Sequence, residues 1–484
     1  MKKGICSLII MFIITAVFVF TGCSPKALTD NPETSAQVIS NGGTTVVKGD
    51  YLYFINGYVD EDTLDPKYDN KENKVNHTGI YRTKLVNGEV VKNEEGFLTN
   101  VDRVVSKVVG FDNGGFFIID DYIYYTTPNM NYDKDGSKLT DRVDFHRINI
   151  DGTKDKLIYS SPVAEDTLDW TCYKVDGKVY ILAYYANQEK TIMAIDTEER
   201  EVVAEVKNVT SYAFYDETNY STNNDRSNAI LNTVYYTRDA VESDNKGTSF
   251  KGNMLCKFNF ASETKEEVIA TNDNHTFMIK SVTKDNVYYT KADKSYNGKA
   301  LLYKTSTDFN FDNEVKMSNK EYTTYYICDF GYDMFLGATD SAVFRVMKNG
   351  SGEIVSTQIL TSADTILGIY GGYGYYALEE KLYKFDILNG EISDNLIKAD
   401  IACDDSFTMK VGRANLIDFD NQRVYLFVEY TSADESKNFY MNFVEPNSTD
   451  QKFVGSFEES HLPQAPEEKD EDGDGVVENI PHVK

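Results

Sequence analysis

Between residues 42 and 457 the apolar and polar positions alternate in short runs, each bounded by Gly, Asn or Asp. A period of two is the signature of half-buried strands, and the bounding residues are those of tight turns. No stretch of twelve or more residues carries an apolar stripe at helical spacing. The pattern predicts an all-β chain. One phrase organises it: a Tyr-rich strand, a polar gap, then a second strand ending in a basic residue and a turn. The clearest copy is KDNVYYTKAD, with Val287, Tyr288, Tyr289 and Thr290, followed by ALLYKTST, with Leu301, Leu302, Tyr303 and Lys304.

Eight copies can be laid end to end. In order they are GDYLYFIN with GIYRTKLVNG, DDYIYYTT with DFHRINIDG, DGKVYILAYY with TIMAIDT, NTVYYTR with MLCKFNF, the copy just quoted, DMFLGAT with AVFRVMKNG, GYGYYAL with KLYKFDILNG, and NQRVYLFVEY with NFYMNFV. The first-strand aromatics Tyr53, Tyr124, Tyr180, Tyr236, Tyr289, Phe335, Tyr376 and Tyr425 recur at a period near 50 residues. Strands repeating at that interval predict a β-propeller of about eight four-stranded blades. Seven is the alternative if the third or sixth copy is an insertion. The quoted pair would be the middle hairpin of each blade. The dipeptides Asn87-Gly88, Asp151-Gly152, Asn349-Gly350 and Asn389-Gly390 follow the second quoted strand, and such pairs tolerate the positive φ of hairpin turns. An irregular β-solenoid or two sandwiches would use the same strand vocabulary.

The ends of the chain read differently. Lys2 and Lys3 precede an apolar stretch from Ile5 to Phe20, short for a membrane span, which ends in small residues as an export signal does. Phe20-Thr21-Gly22-Cys23 then resembles the lipobox of bacterial lipoproteins, with Phe20 where Leu is more usual. The resemblance implies a signal peptide over 1–22 and lipidation of Cys23 by acyl chains such as palmitate. Each buried methylene of such an anchor contributes about 0.8 kcal/mol. The plain alternatives are an ordinary signal peptide or an N-terminal membrane anchor. Residues 23–41 are polar, with Pro25 and Pro32, and are expected to be a flexible tether. Residues 458–484 hold three Pro, no aromatic and a dense acidic run, which predicts a disordered tail.

The repeat text resembles the propellers of low-density-lipoprotein-receptor type, whose strands carry Tyr-Trp-Thr-Asp. The matching stretches are Tyr124-Tyr125-Thr126-Thr127, Tyr235-Tyr236-Thr237-Arg238 and Tyr288-Tyr289-Thr290-Lys291. The Trp has become Tyr and the Asp is absent, so nothing contributed by that Asp carries over. A closer resemblance is to the receptor-like propeller domain of uncharacterised bacterial exported proteins, over most of residues 40–455. It implies a fold and leaves activity open.

Composition narrows the partners. The formal net charge of −28 becomes −30 once the signal, with its two Lys and no acid, is removed. So acidic a surface argues against nucleic acid and suits a solvated extracytoplasmic protein held at the membrane by lipid. Cys172, Cys256, Cys328 and Cys403 are far apart, with no CxxC pair, so buried free thiols are expected, with a disulfide between neighbouring repeats as the alternative. The five His show no metal-ligand spacing. The tail offers Asp470, Asp472, Asp474 and, past Gly475, Glu478, which match the opening of a calcium loop but place Pro481 where the closing Glu belongs. These residues form a weak calcium site or a solvated acidic tail. No motif for a nucleophilic Ser, a zinc protease or a phosphate cradle is present. Tyr373, Tyr375 and Tyr376 beside Gly371, Gly372 and Gly374 read as blade core or as a stacking rim.

The sequence therefore leads to a binding or scaffolding module for a protein, peptide or envelope glycan. The alternative is a glycan hydrolase or lyase with carboxylates converging on the channel. Convergent carboxylates with one raised pKa would mark the enzyme.

Overall fold

The computed structural model describes residues 27–444 apart from 56–78, 92–99, 108, 110–114, 129–142, 162–167, 187–188, 216–231, 245–246, 262–266, 273–274, 294–299, 329–332, 362–365, 371, 379–380, 395–406, 419–422 and 433–437. The expected signal peptide, Cys23, Cys403 and the acidic tail lie outside the described residues.

The fold is an all-β propeller. Its sheets follow the chain. The first holds β1 (Val38–Ile39), β2 (Thr45–Lys48), β3 (Tyr51–Ile55), β4 (Ile80–Val86), β5 (Glu89–Val90) and β6 (Val101–Val105). The second holds β7 (Phe117–Ile119), β8 (Tyr122–Pro128), β9 (Val143–Asn149) and β10 (Lys156–Ser160). The third holds β11 (Leu168–Val175), β12 (Lys178–Tyr185), β13 (Thr191–Asp196) and β14 (Glu201–Val206). The fourth holds β15 (Val209–Ala213), β16 (Thr233–Asp244), β17 (Gly247–Asn259) and β18 (Glu267–Asn272). The fifth holds β19 (His275–Val282), β20 (Asn286–Asp293), β21 (Ala300–Ser306) and β22 (Val315–Lys316). The sixth holds β23 (Thr324–Cys328), β24 (Met334–Thr339), β25 (Ala342–Lys348) and β26 (Ile354–Leu360). The seventh holds β27 (Ile366–Tyr370), β28 (Tyr373–Leu378) and β29 (Lys381–Asp386), and the last β30 (Phe407–Asp418), β31 (Arg423–Ser432) and β32 (Asn438–Val444).

Among the described residues there are thus eight successive sheets, seven with described side chains and the eighth known by its backbone pairing. The third and sixth repeat copies each form the middle of a four-stranded sheet. The two strands of every repeat phrase are neighbours in one sheet, as expected for the middle hairpin of a blade. First strands of several neighbouring sheets pack on one another, β7 against β2 and β11, and β15 against β19, and β30 lies against both β27 and β2. The ring therefore closes by packing, with no sheet shared between its two ends among the described residues.

Adjacent Tyr residues explain the repeat. With a period of two, neighbours in a strand point to opposite faces of the sheet. Tyr124 enters the core shared with Phe145, Trp170 and Ile195 of the second and third sheets, while Tyr125 enters the core shared with Val46, Tyr53 and Val104 of the first. Tyr288 faces the sixth sheet through Ile327 and Phe335, and Tyr289 faces the fourth through Tyr236 and Leu255. Each doublet seals two seams, and full burial of such a ring contributes roughly 1.5–3 kcal/mol.

The Asn or Asp closing the phrase also has a local task. Asp196 accepts from the backbone N–H groups of Glu198 and Glu199, Asn349 from those of Ser351 and Glu353, and Asp386 from those of Leu388 and Asn389. These side chains turn the third strand of the blade into the fourth. At Asn87-Gly88 both residues take positive φ, 54° and 78°, as expected. At Asn349-Gly350 the positive φ falls instead on Gly352, because the Asn349 side chain builds a longer turn.

The assignment of residues 23–41 to a flexible tether needs correcting over 28–41. Leu28 N–H donates to the Asp151 carbonyl at 2.9 Å, and Leu28 packs on the core of the first seam. Lys84 reaches Asp30 at 2.7 Å, and the buried Arg82 donates to Asn31 and to the Thr29 carbonyl. Thr34 donates to Asp121, and the Thr34 carbonyl accepts from Lys48, which is 1% exposed. Composition suggested a tether because these residues are polar, but their polar groups complete partners in the first two sheets.

Candidate functional site

Cys172, Cys256 and Cys328 are buried thiols outside any disulfide, as expected. Tyr375 and Tyr376 are core residues, and Tyr373 is half-buried with Lys384 Nζ 4.9 Å from its ring centre. This stretch is packing rather than a stacking rim. His146 is also packed. Its Nδ1 lies 3.0 Å from Asp155, which takes Lys107 at 2.9 Å and the Tyr125 hydroxyl at 3.0 Å. Burial works against ionisation of Asp155, yet His146 and Lys107 overcome it and hold the carboxyl down at about 2. A group so firmly ionised is a poor proton donor or acceptor near neutrality.

A group of contacting polar and aromatic side chains lies on the first strands, which the repeat phrase does not contain. Ser211 of β15 accepts from Ile279 N–H of β19 at 2.8 Å, which fixes the register of the fourth sheet against the fifth. Next in sequence to these two residues are Tyr212 and Lys280, which contact Asp169 of β11 and Tyr325 of β23 respectively. The Tyr212 hydroxyl donates to Asp169 at 2.7 Å. Its ring lies 4.3 Å from that of Tyr184 and 5.1 Å from that of Phe214, all three half-buried. Lys280 Nζ lies 5.6 Å from the centre of the Tyr325 ring. Burial lowers the Lys280 amine, while the carboxylate of Glu321 pulls the other way. Burial, then Asp169, pushes the Tyr212 phenol far up, so it stays a donor.

Two β-bulges aim these contacts. The pairing of β15 with β16 skips Thr210, and that of β19 with β20 skips Lys280. A bulged residue leaves the ladder and its side chain is re-aimed. The chemistry on offer is three mutually tilted, half-buried rings, one carboxylate acceptor and one amine donor. The sequence carried a faint trace of it, since the alternation in these two strands breaks at the bulges. Among the described residues no three His, Cys, Asp or Glu side chains group as metal ligands. The calcium candidates Asp470, Asp472, Asp474 and Glu478 fall outside the described residues. The carboxyls with resolved shifts, Asp30, Asp155 and Asp196, all move down, opposite to what a proton-donating glycosidase acid needs.

No protein-family model matches the sequence, and no curated protein matches it. Solved structures do. The β-propeller domain of the Trilobed protease from Pyrococcus furiosus, described as having an open velcro topology, is 12% identical over 84% of this chain and 95% of that one, with a TM-score of 0.33. Prolyl oligopeptidase B from Galerina marginata, bound to a 35mer hydrolysis and macrocyclization substrate, is 10% identical over 69% of this chain and 49% of that one, with a TM-score of 0.43. A puromycin-hydrolyzing peptidase of Mycobacterium tuberculosis is 10% identical over 84% of this chain and 60% of that one, with a TM-score of 0.38. The chain spans about half the length of the prolyl oligopeptidases it matches. The likeness is one of fold, and the activities in those names belong to those proteins. The order of the sheets along the chain defines the class: an all-β propeller.

Proposed function

We propose that this chain is a lipid-anchored, extracytoplasmic propeller that binds or scaffolds a protein, peptide or envelope glycan. Cys23 carries the lipid, and its repeats keep their likeness to receptor-type propellers. The observation that supports a binding role is the pair of first-strand contacts Tyr212–Asp169 and Lys280–Tyr325, with Tyr184 and Phe214 packed beside Tyr212. Rings held by a rigid scaffold bind flat or extended partners with little ordering entropy. Among the described residues no observation favours the glycan hydrolase or lyase.

The test is capture from a cell-envelope extract by the wild-type chain and by a Tyr212→Ala/Lys280→Ala double variant. The binding reading expects a protein, peptide or glycan whose affinity drops at least tenfold in the variant. Equal capture by both chains would count against these contacts. In the acidic tail, Asp470, Asp472, Asp474 and Glu478 are proposed as weak calcium ligands. Calorimetry of the full chain at millimolar calcium, against a chain ending at residue 461, tests that; equal heats remove the site.

A further inference from the structure

The turns joining first to second and third to fourth strands all lie on one face of the ring. The connections from second to third strand, and from blade to blade, lie on the other. This follows from the up-and-down order of the sheets. The polar contacts of residues 28–37 named above, apart from those to the mid-strand Arg82, are made on the first of these faces. Leu28 bonds at the β9–β10 turn, Asp30 at the ends of β3 and β4, Thr34 at the β7–β8 turn and the end of β2. Gly49 N–H closes the path by donating to the Gln37 carbonyl at 2.9 Å. The segment is a strap across the seam of the first two sheets, clasped at its core by Arg82.

We propose that this strap holds the turn face of the propeller toward the lipid surface, so that a chain anchored at Cys23 stands in one orientation. The inference rests on the lipid-anchor reading given above. Only four peptide steps separate Cys23 from Ala27, a reach of about 14 Å when fully extended. That is too short for the ring to turn over. The opposite face then points away from the membrane. From it the β16–β17 hairpin extends past Arg238, the last residue paired with β15, as a two-stranded arm closed at Asp244 and Gly247. A receptor-like module needs such an arrangement, with its longer projections free to meet an external partner.

Glu189 and Glu199 flank the two ends of β13, on opposite faces, and both are exposed. The six residues between Thr191 and Asp196 separate the faces by roughly 20 Å. The experiment places a fluorophore on Glu189→Cys or Glu199→Cys in the full lipidated chain, with Cys403→Ser as background. It is reconstituted in phosphatidylcholine vesicles carrying a nitroxide-headgroup lipid. Cys172, Cys256 and Cys328 are buried and take no label. The strap predicts quenching several-fold stronger at position 199 than at 189. Inserting about twenty Gly and Ser residues between Lys26 and Ala27, a coil of roughly 25 Å, should make the two positions equal while leaving the fold intact. Equal quenching without the insertion, or an asymmetry that survives it, overturns the orienting role of the strap. Mass spectrometry of the intact chain and vesicle flotation of Cys23→Ser report on the anchor separately. An unmodified Cys23 overturns the anchor reading, and the orientation with it.

Discussion

Asn253, on the third strand of the fourth sheet, grips Phe277 on the first strand of the fifth. Its side-chain oxygen accepts from the Phe277 N–H at 2.9 Å, and its amide nitrogen donates to the Phe277 carbonyl. Asn41 does the same to Ile118, at 2.7 and 2.8 Å, across the first seam. Both Asn residues are buried, at 3% and 2% exposure. Each satisfies a first-strand peptide group that its own sheet leaves unpaired. Truncating such a side chain leaves a buried donor and acceptor without partners, at about 1–3 kcal/mol. Asn253→Ala is expected to lose about 2–3 kcal/mol in urea unfolding, and Asn253→Asp, which keeps only the acceptor, a similar amount. A loss below about 0.5 kcal/mol for both would show that the seam is held by apolar packing alone.

The quartet around Asp155 predicts a pH dependence. The carboxyl sits at about 2 in the folded chain against 3.8 when free. A depressed carboxyl contributes stability that is present above the unfolded value and is lost as pH falls through the folded one. The window is therefore pH 4 down to 2, and the contribution is about 2 kcal/mol at most. Asp155→Asn should be less stable than wild type at pH 6 by up to that amount, and the gap should close as pH falls to 2. Melting curves of the pair at pH 6, 4 and 2 measure it; a gap unchanged across that range would exclude the ionised carboxylate as its source.

Much of the ring was legible in the sequence because the strands that carry it are the most apolar and most regular. The Tyr doublets Tyr124-Tyr125 and Tyr288-Tyr289 record, in two letters, that each sheet is covered on both faces. Asp196, Asn349 and Asp386 mark where one strand turns into the next. What stayed hidden depends on contacts between distant segments. Tyr212 meets Asp169 across 43 positions, and Thr34 meets Asp121 across 87. Nothing local distinguishes Asp169 from any other exposed acid, or residues 28–36 from a solvated linker. The bulge at Lys280 was visible only as one misplaced polar residue.

Gly374 lies inside the GYGYY stretch, where sequence alone left a binding rim open. A Cβ at this position would come within 2.3 Å of the Phe385 ring on the paired strand. Gly337 is similar, with the Tyr322 ring at 2.4 Å. Phe385 is fully buried and Tyr322 nearly so, so neither ring has room to retreat. Overpacking of this kind costs about 1–3 kcal/mol. Gly374→Ala and Gly337→Ala should each lower stability by that amount. Gly177→Ala, where a Cβ meets nothing within 4 Å but φ is +82°, tests backbone strain alone. Core variants no more stable than wild type minus 0.5 kcal/mol are required by this account; values equal to wild type would refute it.

Arg82 is fully buried and is one of the residues that join the strap to the first sheet. Its Nε donates to Asp102 at 3.2 Å, one terminal nitrogen reaches Asn31 and the other the Thr29 carbonyl at 3.0 Å, while the guanidinium lies 4.8 Å from the centre of the Tyr51 ring. Only a planar fork with several donors can serve partners in these directions at once. Lys keeps the charge but offers a single nitrogen, so Arg82→Lys is expected to behave almost as badly as Arg82→Met. Removing one member of a buried charged pair costs about 3–5 kcal/mol; since Asp102 is partly exposed, the lower end applies here. Asn31→Ala removes only one of the contacts and should cost about 1 kcal/mol. Because both substitutions free the same strap, their effects should not add: the double variant should resemble Arg82→Lys alone. Limited proteolysis gives an independent reading, with cleavage between residues 28 and 36 accelerating in Arg82→Lys before the ring itself unfolds. If the cleavage rate and the global unfolding rate rise together, the strap has no stability of its own to lose and is simply part of the first blade.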